Sequence, residues 1–147
     1  MKILFAASEV APFIKTGGLA DVAGSLPQAL AGAGHEVTVV LPLYQGIGPV
    51  WREQMTFLKW FNIPLSWRQA YCGVFQLERD GVTYWFVDNE YYFKREQIYG
   101  HYDDCERFAF FSRAVLALAE HLDYAPDILH CNDWQTALVP VYLLEEK

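Results

Sequence analysis

At 147 residues, with 53% hydrophobic and 16% aromatic residues, the chain can bury the core of one domain and is no disordered segment. A formal net charge of −7 argues against a general nucleic-acid or anionic-membrane surface, and no apolar run reaches the roughly 18 residues of a membrane span. Cys72, Cys105 and Cys131 form no CxxC pair, and His35, His101, His121 and His130 show no ligand spacing. Reduced structural thiols and no metal site are therefore expected.

Ile3 to Ala7 is apolar without alternation, as in a strand buried on both faces of a parallel sheet. It is too short for a signal peptide, and Glu9 and Lys15 stand where a cleavage region would be, so a cytoplasmic chain is expected. Glu9 to Gly18 reads as a loop. Apolar residues then recur with helical spacing at Leu19, Val22, Ala23, Leu26, Ala29, Leu30 and Ala33, with Gly32 and Gly34 as breakers. Pro27 lies inside this stretch and predicts a kink or break near Ala23. Val37 to Leu41 is a second buried strand that stops at Pro42, which completes a βαβ unit.

Leu43 to Val50 is a loop punctuated by Gly46, Gly48 and Pro49. Met55–Ile63 and Trp67–Leu77, with Pro64 between them, are rich in aromatic and β-branched residues. Asp80-Gly81 supplies a tight hairpin turn into Val82–Val87. An antiparallel insertion follows, its last strand returning to the main sheet. Tyr91 to Tyr102 is a tyrosine-rich loop, and Asp103-Asp104 offers acidic charge to a helix N-terminus. Phe108, Phe111, Val115, Leu118 and Leu122 give the period of that helix. Ile128-Leu129-His130 is a short strand, and Asn132 with Gln135 has the spacing of a capping box for a helical stretch from Trp134, interrupted at Pro140. The class is α/β, a doubly wound, mostly parallel Rossmann-like sheet with an antiparallel insertion. Ligands of such sheets sit beyond the carboxyl ends of the strands, so loops 9–18 and 131–133 should face one crevice.

Lys15-Thr16-Gly17-Gly18-Leu19-Ala20-Asp21-Val22 offers a cation, two glycines and a helix start. A diphosphate asks for those parts: close backbone approach, free helix amides and a mobile point charge. The same residues also suit a plain strand-to-helix connection with a solvated lysine. They do not supply the G-x-G-x-x-G of a dinucleotide-binding oxidoreductase.

Lys2 to Val22 resembles the start of bacterial glycogen synthases and plant starch synthases, ADP-glucose-dependent retaining glucosyltransferases of the GT-B type. The resemblance continues in Gly24-Ser25-Leu26-Pro27, Ile98-Tyr99-Gly100, Asp104 to Phe108 and His130 to Leu138, and is weakest between about residues 45 and 80. It implies that Lys15, with the amides of Gly17 and Gly18, binds the ADP-glucose diphosphate. It places Asp21 and Tyr99 along the donor or glucan cleft and Asp133 near the transferring glucose. Asp21 and Asp133 suit helix-end roles equally, Tyr99 suits a core or rim role, and His130 is read as a structural strand-end residue. No cofactor is implied; the partners implied are ADP-glucose and an α-1,4-glucan, glycogen or starch. The resemblance also implies that residues 1–147 are an incomplete N-terminal domain, lacking the C-terminal nucleotide-binding domain and inactive alone. A non-catalytic nucleotide- or glucan-binding module is the alternative.

Overall fold

The computed structural model describes residues 1–145. Its strands are β1 (Lys2–Ala6), β2 (Glu36–Pro42), β3 (Thr56–Leu65), β4 (Arg68–Arg79), β5 (Val82–Asp88) and β6 (Ile128–Cys131). They form one sheet in the order β3-β4-β5-β2-β1-β6. β1 pairs in parallel with β2 and β6, and β2 with β5, whereas β4 is antiparallel to both of its neighbours, β3 and β5. The antiparallel insertion and its return to the main sheet are as the sequence predicts. Because the chain winds outward from β1 through β2 and later returns to place β6 on the other side, the crossover point lies between β1 and β6.

At β1 and β2 both faces of the sheet are covered, which explains their uninterrupted apolar runs. Successive residues of β5 go opposite ways. Tyr84 and Phe86 meet Phe13 edge-on at 4.8 and 5.2 Å, while Trp85 meets Tyr124 at 5.4 Å. Phe5 and Phe86 are fully buried, and side chains of this kind stabilise the fold by roughly 1.5–3 kcal/mol each.

Helix α1 (Gly18–Gly32) ends as the glycines predict. Gly34 takes φ +98°, its amide donates to Ala31, and His35 donates to Leu30, closing the last turn. The break expected at Pro27 does not occur: α1 runs through it. Proline removes only the hydrogen bond to the Ala23 carbonyl, and its ring is buried on the same helix as Ala20 and Ala23, so packing holds the turns on either side. Gly24 has a plainer reason to be glycine. A Cβ there would lie 2.6 Å from the Ala11 carbonyl oxygen, where α1 crosses the loop after β1. Gly24→Ala should therefore cost about 1–3 kcal/mol, whereas Gly18→Ala, with open space around its Cβ, should not. Urea melts of the two variants check this, and equal midpoints would contradict it.

Two short helices, α2 (Pro49–Arg52) and α3 (Glu90–Phe93), fall in stretches expected to be loops. Each is a single turn. Pro49 opens the first, and the Asn89 side chain accepts the Tyr92 amide at 3.0 Å to cap the second. Pro64 sits within β3, where an edge strand tolerates a residue that donates no hydrogen bond. Asp80 and Gly81, at φ +52° and +78°, make the predicted tight turn. Helix α4 (Asp104–His121) covers the sheet face opposite Phe13. After β6 a 3-10 turn (Trp134–Thr136) leads into α5 (Leu138–Glu145), where Pro140 occupies the first turn and costs no hydrogen bond. Among the described residues no helix is long and apolar enough to cross a membrane.

Candidate functional site

The loops after β1 and β6 lie side by side at the carboxyl ends of their strands. Asn132 ties them: its amide and its side-chain Nδ2 both donate to the Ala6 carbonyl, at 3.3 and 2.8 Å. The capping box expected from Asn132 and Gln135 is therefore absent. The carbonyl at the end of β1 takes the asparagine side chain, and Gln135 is buried beneath α4, its carbonyl accepting the Ser112 hydroxyl at 3.3 Å. The 3-10 turn starts instead from Asp133, exposed and at φ +59°, with no side-chain cap.

The loop after β1 is anchored by Phe13, whose ring is gripped by Trp51, Tyr84 and Phe86 at 4.8 to 5.2 Å. Two residues on, Lys15 emerges into solvent and reaches across the start of α1 to both carboxylate oxygens of Asp21 at 2.8 Å. Both side chains are more than half exposed, so the pair contributes at most about 1 kcal/mol and is readily exchanged. Gly17 is the N-cap and Gly18 the first helical residue; neither has positive φ, and a Cβ on either meets nothing within 4 Å. Nothing in the fold requires glycine at these two positions. A side chain there would obstruct only what approaches from solvent toward the open amides of the helix N-terminus.

Glu9 organises this loop, and the sequence reading missed it. Its carboxylate is buried and accepts the Thr16 amide at 3.2 Å, the Thr16 hydroxyl at 2.5 Å and the Gly17 amide at 2.9 Å. The Gly17 amide thus already serves an internal anion, and the helix amides beyond it face outward. Burial opposes ionisation of Glu9, but hydrogen bonds from Thr16, Tyr99 and Gly17 outweigh it and hold the carboxyl below its ordinary 4.5. A carboxyl with a lowered folded pKa contributes stability that is complete above the unfolded value and is lost as pH falls through the folded one. The stability difference between the parent chain and Glu9→Gln should be constant near neutrality and close as pH falls below 4.5, measured by urea melts in a pH series. A difference that grows toward acid would contradict it. Only a Glu eight residues before a glycine helix start, on a strand-end loop, hints at such a cap in the sequence.

Tyr99 does reach the crevice. Its hydroxyl lies 2.5 Å from Ser8 Oγ, and its ring sits 6.3 Å from Trp134 and 5.9 Å from Phe108. Burial pushes its hydroxyl well above the ordinary tyrosine range; the Ser8 hydrogen bond works against this and neighbouring Glu9 adds to it. Arg107, wholly buried, positions the segment that carries Tyr99 by donating to the carbonyls of Tyr92 and Ile98 at 2.7 and 2.9 Å and to Asp104 at 2.8 Å. His130 stacks on Phe5 at 4.5 Å, in keeping with a structural strand-end role.

Lys15, Gly17, Gly18 and Asp21 are thus gathered at one wall of the crevice, and Tyr99 and Asp133 belong to its base and opposite wall. Such a site can receive an anion at the α1 terminus beside a polar, aromatic-lined hollow. Its own charges are unbalanced: Lys15 is already paired with Asp21, and the same two loops also carry the carboxylates of Glu9 and Asp133.

The chain matches the model of the starch synthase catalytic domain over residues 2–147. It is 57% identical to a glycogen synthase of Clostridium botulinum over 143 residues, and 54% identical to one from Geobacillus stearothermophilus over 146. These alignments cover 97% and 99% of the chain but only 30% of each relative. The catalytic domain of starch synthase IV from Arabidopsis thaliana, solved bound to ADP and acarbose, superposes with a TM-score of 0.86 at 34% identity. That match spans 96% of this chain and 30% of the plant one. A family model that matches residues 2–147, relatives more than half identical and the same α/β architecture together make this chain a member of the glycogen and starch synthase family.

Proposed function

We propose that the chain forms the N-terminal side of a cytoplasmic glycogen or starch synthase that transfers glucose from ADP-glucose to the non-reducing 4-hydroxyl of an α-1,4-glucan with retention. The observation that carries this reading is the pair Gly17-Gly18 at the start of α1, beside Lys15, with only solvent in front of it. In the reaction, negative charge builds on the leaving diphosphate while the sugar turns oxocarbenium-like. Fixed positive charge aimed at the phosphates lowers that barrier, and exclusion of water strengthens it. Lys15 would leave Asp21 for the outer phosphate oxygens, the helix amides would take the inner ones, and Asp133 and Tyr99 would border the glucose. Support for an ADP-linked donor and a glucan acceptor comes from the related starch synthase, whose structure holds ADP and acarbose. A second domain, of the kind the longer relatives have room for, would supply the remaining counter-charge and close over the donor.

The test is Lys15→Gln in the complete synthase. A charge-assisted contact contributes about 1.5–3 kcal/mol, from which the exposed Lys15–Asp21 pair subtracts up to about 1 kcal/mol. KM for ADP-glucose should rise about tenfold and KM for glycogen should not change. Unaltered donor kinetics would return Lys15 to the role of a solvated surface residue.

A further inference from the structure

The turn after β6 carries two features that work against stability within three residues. Asp133 takes φ +59° and ψ −173°. Aspartate tolerates the left-handed helical well, where ψ is about +47°. The values at Asp133 lie outside that well, in a region left almost wholly to glycine, because a Cβ there crowds the backbone. Two residues on, the Gln135 Oε1 is buried with no hydrogen-bond partner among the described residues. Strain and an unsatisfied polar atom at one turn persist only where the surroundings enforce them, and such places cluster at functional sites.

The enforcement comes from both sides of Asp133. Upstream, Asn132 is pinned to β1 by the two hydrogen bonds it donates to the Ala6 carbonyl. Downstream, the fully buried Thr136 turns its hydroxyl back to the Asn132 carbonyl at 2.8 Å and the Asp133 carbonyl at 3.4 Å, and its amide donates to the Asp133 carbonyl at 3.3 Å. Those two carbonyls belong to the peptide planes before and after the Asp133 Cα. One threonine thus fixes both dihedrals of the strained residue. The rest of the turn is seated on α4: the Trp134 ring meets Phe108 edge-on at 5.3 Å, and the Ser112 hydroxyl donates to the Gln135 carbonyl at 3.3 Å.

The hold shows its use at the Asp133 side chain. The carboxylate is exposed and has no hydrogen bond or ion pair with any described residue. Burial first, and then the charges of Glu9 and Asp133, oppose ionisation of the Tyr99 hydroxyl, which puts the Asp133 carboxylate on the Tyr99 side of the crevice. Relaxation of Asp133 to a negative φ would turn its Cα–Cβ bond to another direction and carry the carboxylate off. We infer that Thr136 is a positioning residue, which holds Asp133 in the glycine region so that its carboxylate stands fixed at the transferring glucose before the donor arrives. This rests on the proposed function for the identity of the sugar. An acceptor already in place needs no reorganisation as charge shifts on the sugar, so its advantage falls on the transition state. Donor binding is set instead by the diphosphate contacts at the start of α1. Thr136 therefore acts on kcat, and Lys15 on KM.

Two comparisons test it. In the 147-residue chain, Asp133→Gly is set against Asp133→Ala: both remove the carboxylate, but only glycine is at ease at this φ and ψ. Asp133→Gly should melt about 2–4 °C above Asp133→Ala, whereas at an unstrained position glycine would melt lower. In the complete synthase, Thr136→Val keeps the shape and loses the hydroxyl. It should lower kcat about tenfold and leave KM for ADP-glucose within about twofold, and Thr136→Ser should recover most of the loss. Asp133→Gly melting at or below Asp133→Ala would overturn the strained hold. Thr136→Val with unaltered kcat, or with a loss that Thr136→Ser does not recover, would overturn the positioning role. KM for ADP-glucose in Lys15→Gln reads the proposed function separately. If it is unaltered while Thr136 behaves as expected, the diphosphate contact falls and the hold on Asp133 stands; if it rises while kcat of Thr136→Val is unaltered, the hold alone falls.

Discussion

Arg107→Ala is expected to destabilise the chain by about 3–5 kcal/mol and to lower its melting temperature by roughly 8–20 °C. The guanidinium is fully buried and donates to the carbonyls of Tyr92 and Ile98 and to Asp104. Its plane lies over Phe93 and Phe108 at 5.8 and 5.2 Å. Removal leaves two carbonyls without donors and a carboxylate with less countercharge, on top of a cavity. Asp104 keeps the amides of Gly100 and His101, so the start of α4 should persist while the 93–103 segment loosens. Tyr99 travels with that segment, and its contacts with Ser8 and Trp134 should be lost with it. Calorimetric melting measures the effect, and a loss under about 1 kcal/mol would show that Arg107 is not the tie described.

Read in sequence alone, the order and the ends of the β1–α1–β2 unit were legible, because each of those signals is local: an apolar run, a helical period, a glycine at positive φ. The Asp80-Gly81 turn and α4 were legible for the same reason. What escaped depends on distance. Asn132 has the spacing of a cap, yet the side chain bonds to Ala6, 126 residues away, because β6 ends beside β1. Pro27 has the character of a breaker, yet burial of its ring holds α1 together. Gly17 and Gly18 drew attention as a pair, while Gly24, whose Cβ would strike Ala11, did not, since only the fold brings that carbonyl close. Glu9 escaped for a related reason. A carboxylate is usually solvated, and nothing local says that the chain will fold back to give it three donors.

The second large effect concerns turnover. The 147-residue chain alone should transfer no measurable glucose from ADP-glucose to glycogen, whereas the complete synthase proposed above should. Its crevice presents one lysine against three carboxylates, Glu9, Asp21 and Asp133, so the diphosphate gains little net countercharge. A crevice open to solvent also screens the contacts that remain, and their advantage in the transition state shrinks accordingly. Incorporation of labelled glucose above background by the purified chain would show that these residues suffice for catalysis.

That the crevice between the β1 and β6 loops receives a nucleotide diphosphate is tested most directly by titrating the isotopically labelled chain with ADP and following its backbone amides by NMR. One lysine and a few helix amides should sum to about 4 kcal/mol after the cost of association, an affinity of about millimolar. The amides of Gly18, Leu19 and Ala20 should shift together with those of Asn132 and Asp133, along a single saturating curve that Lys15→Gln weakens about tenfold. Saturable shifts confined to other parts of the sheet, or amides at 18–20 that stay in place at ADP concentrations of several tens of millimolar, well above that affinity, would contradict the assignment.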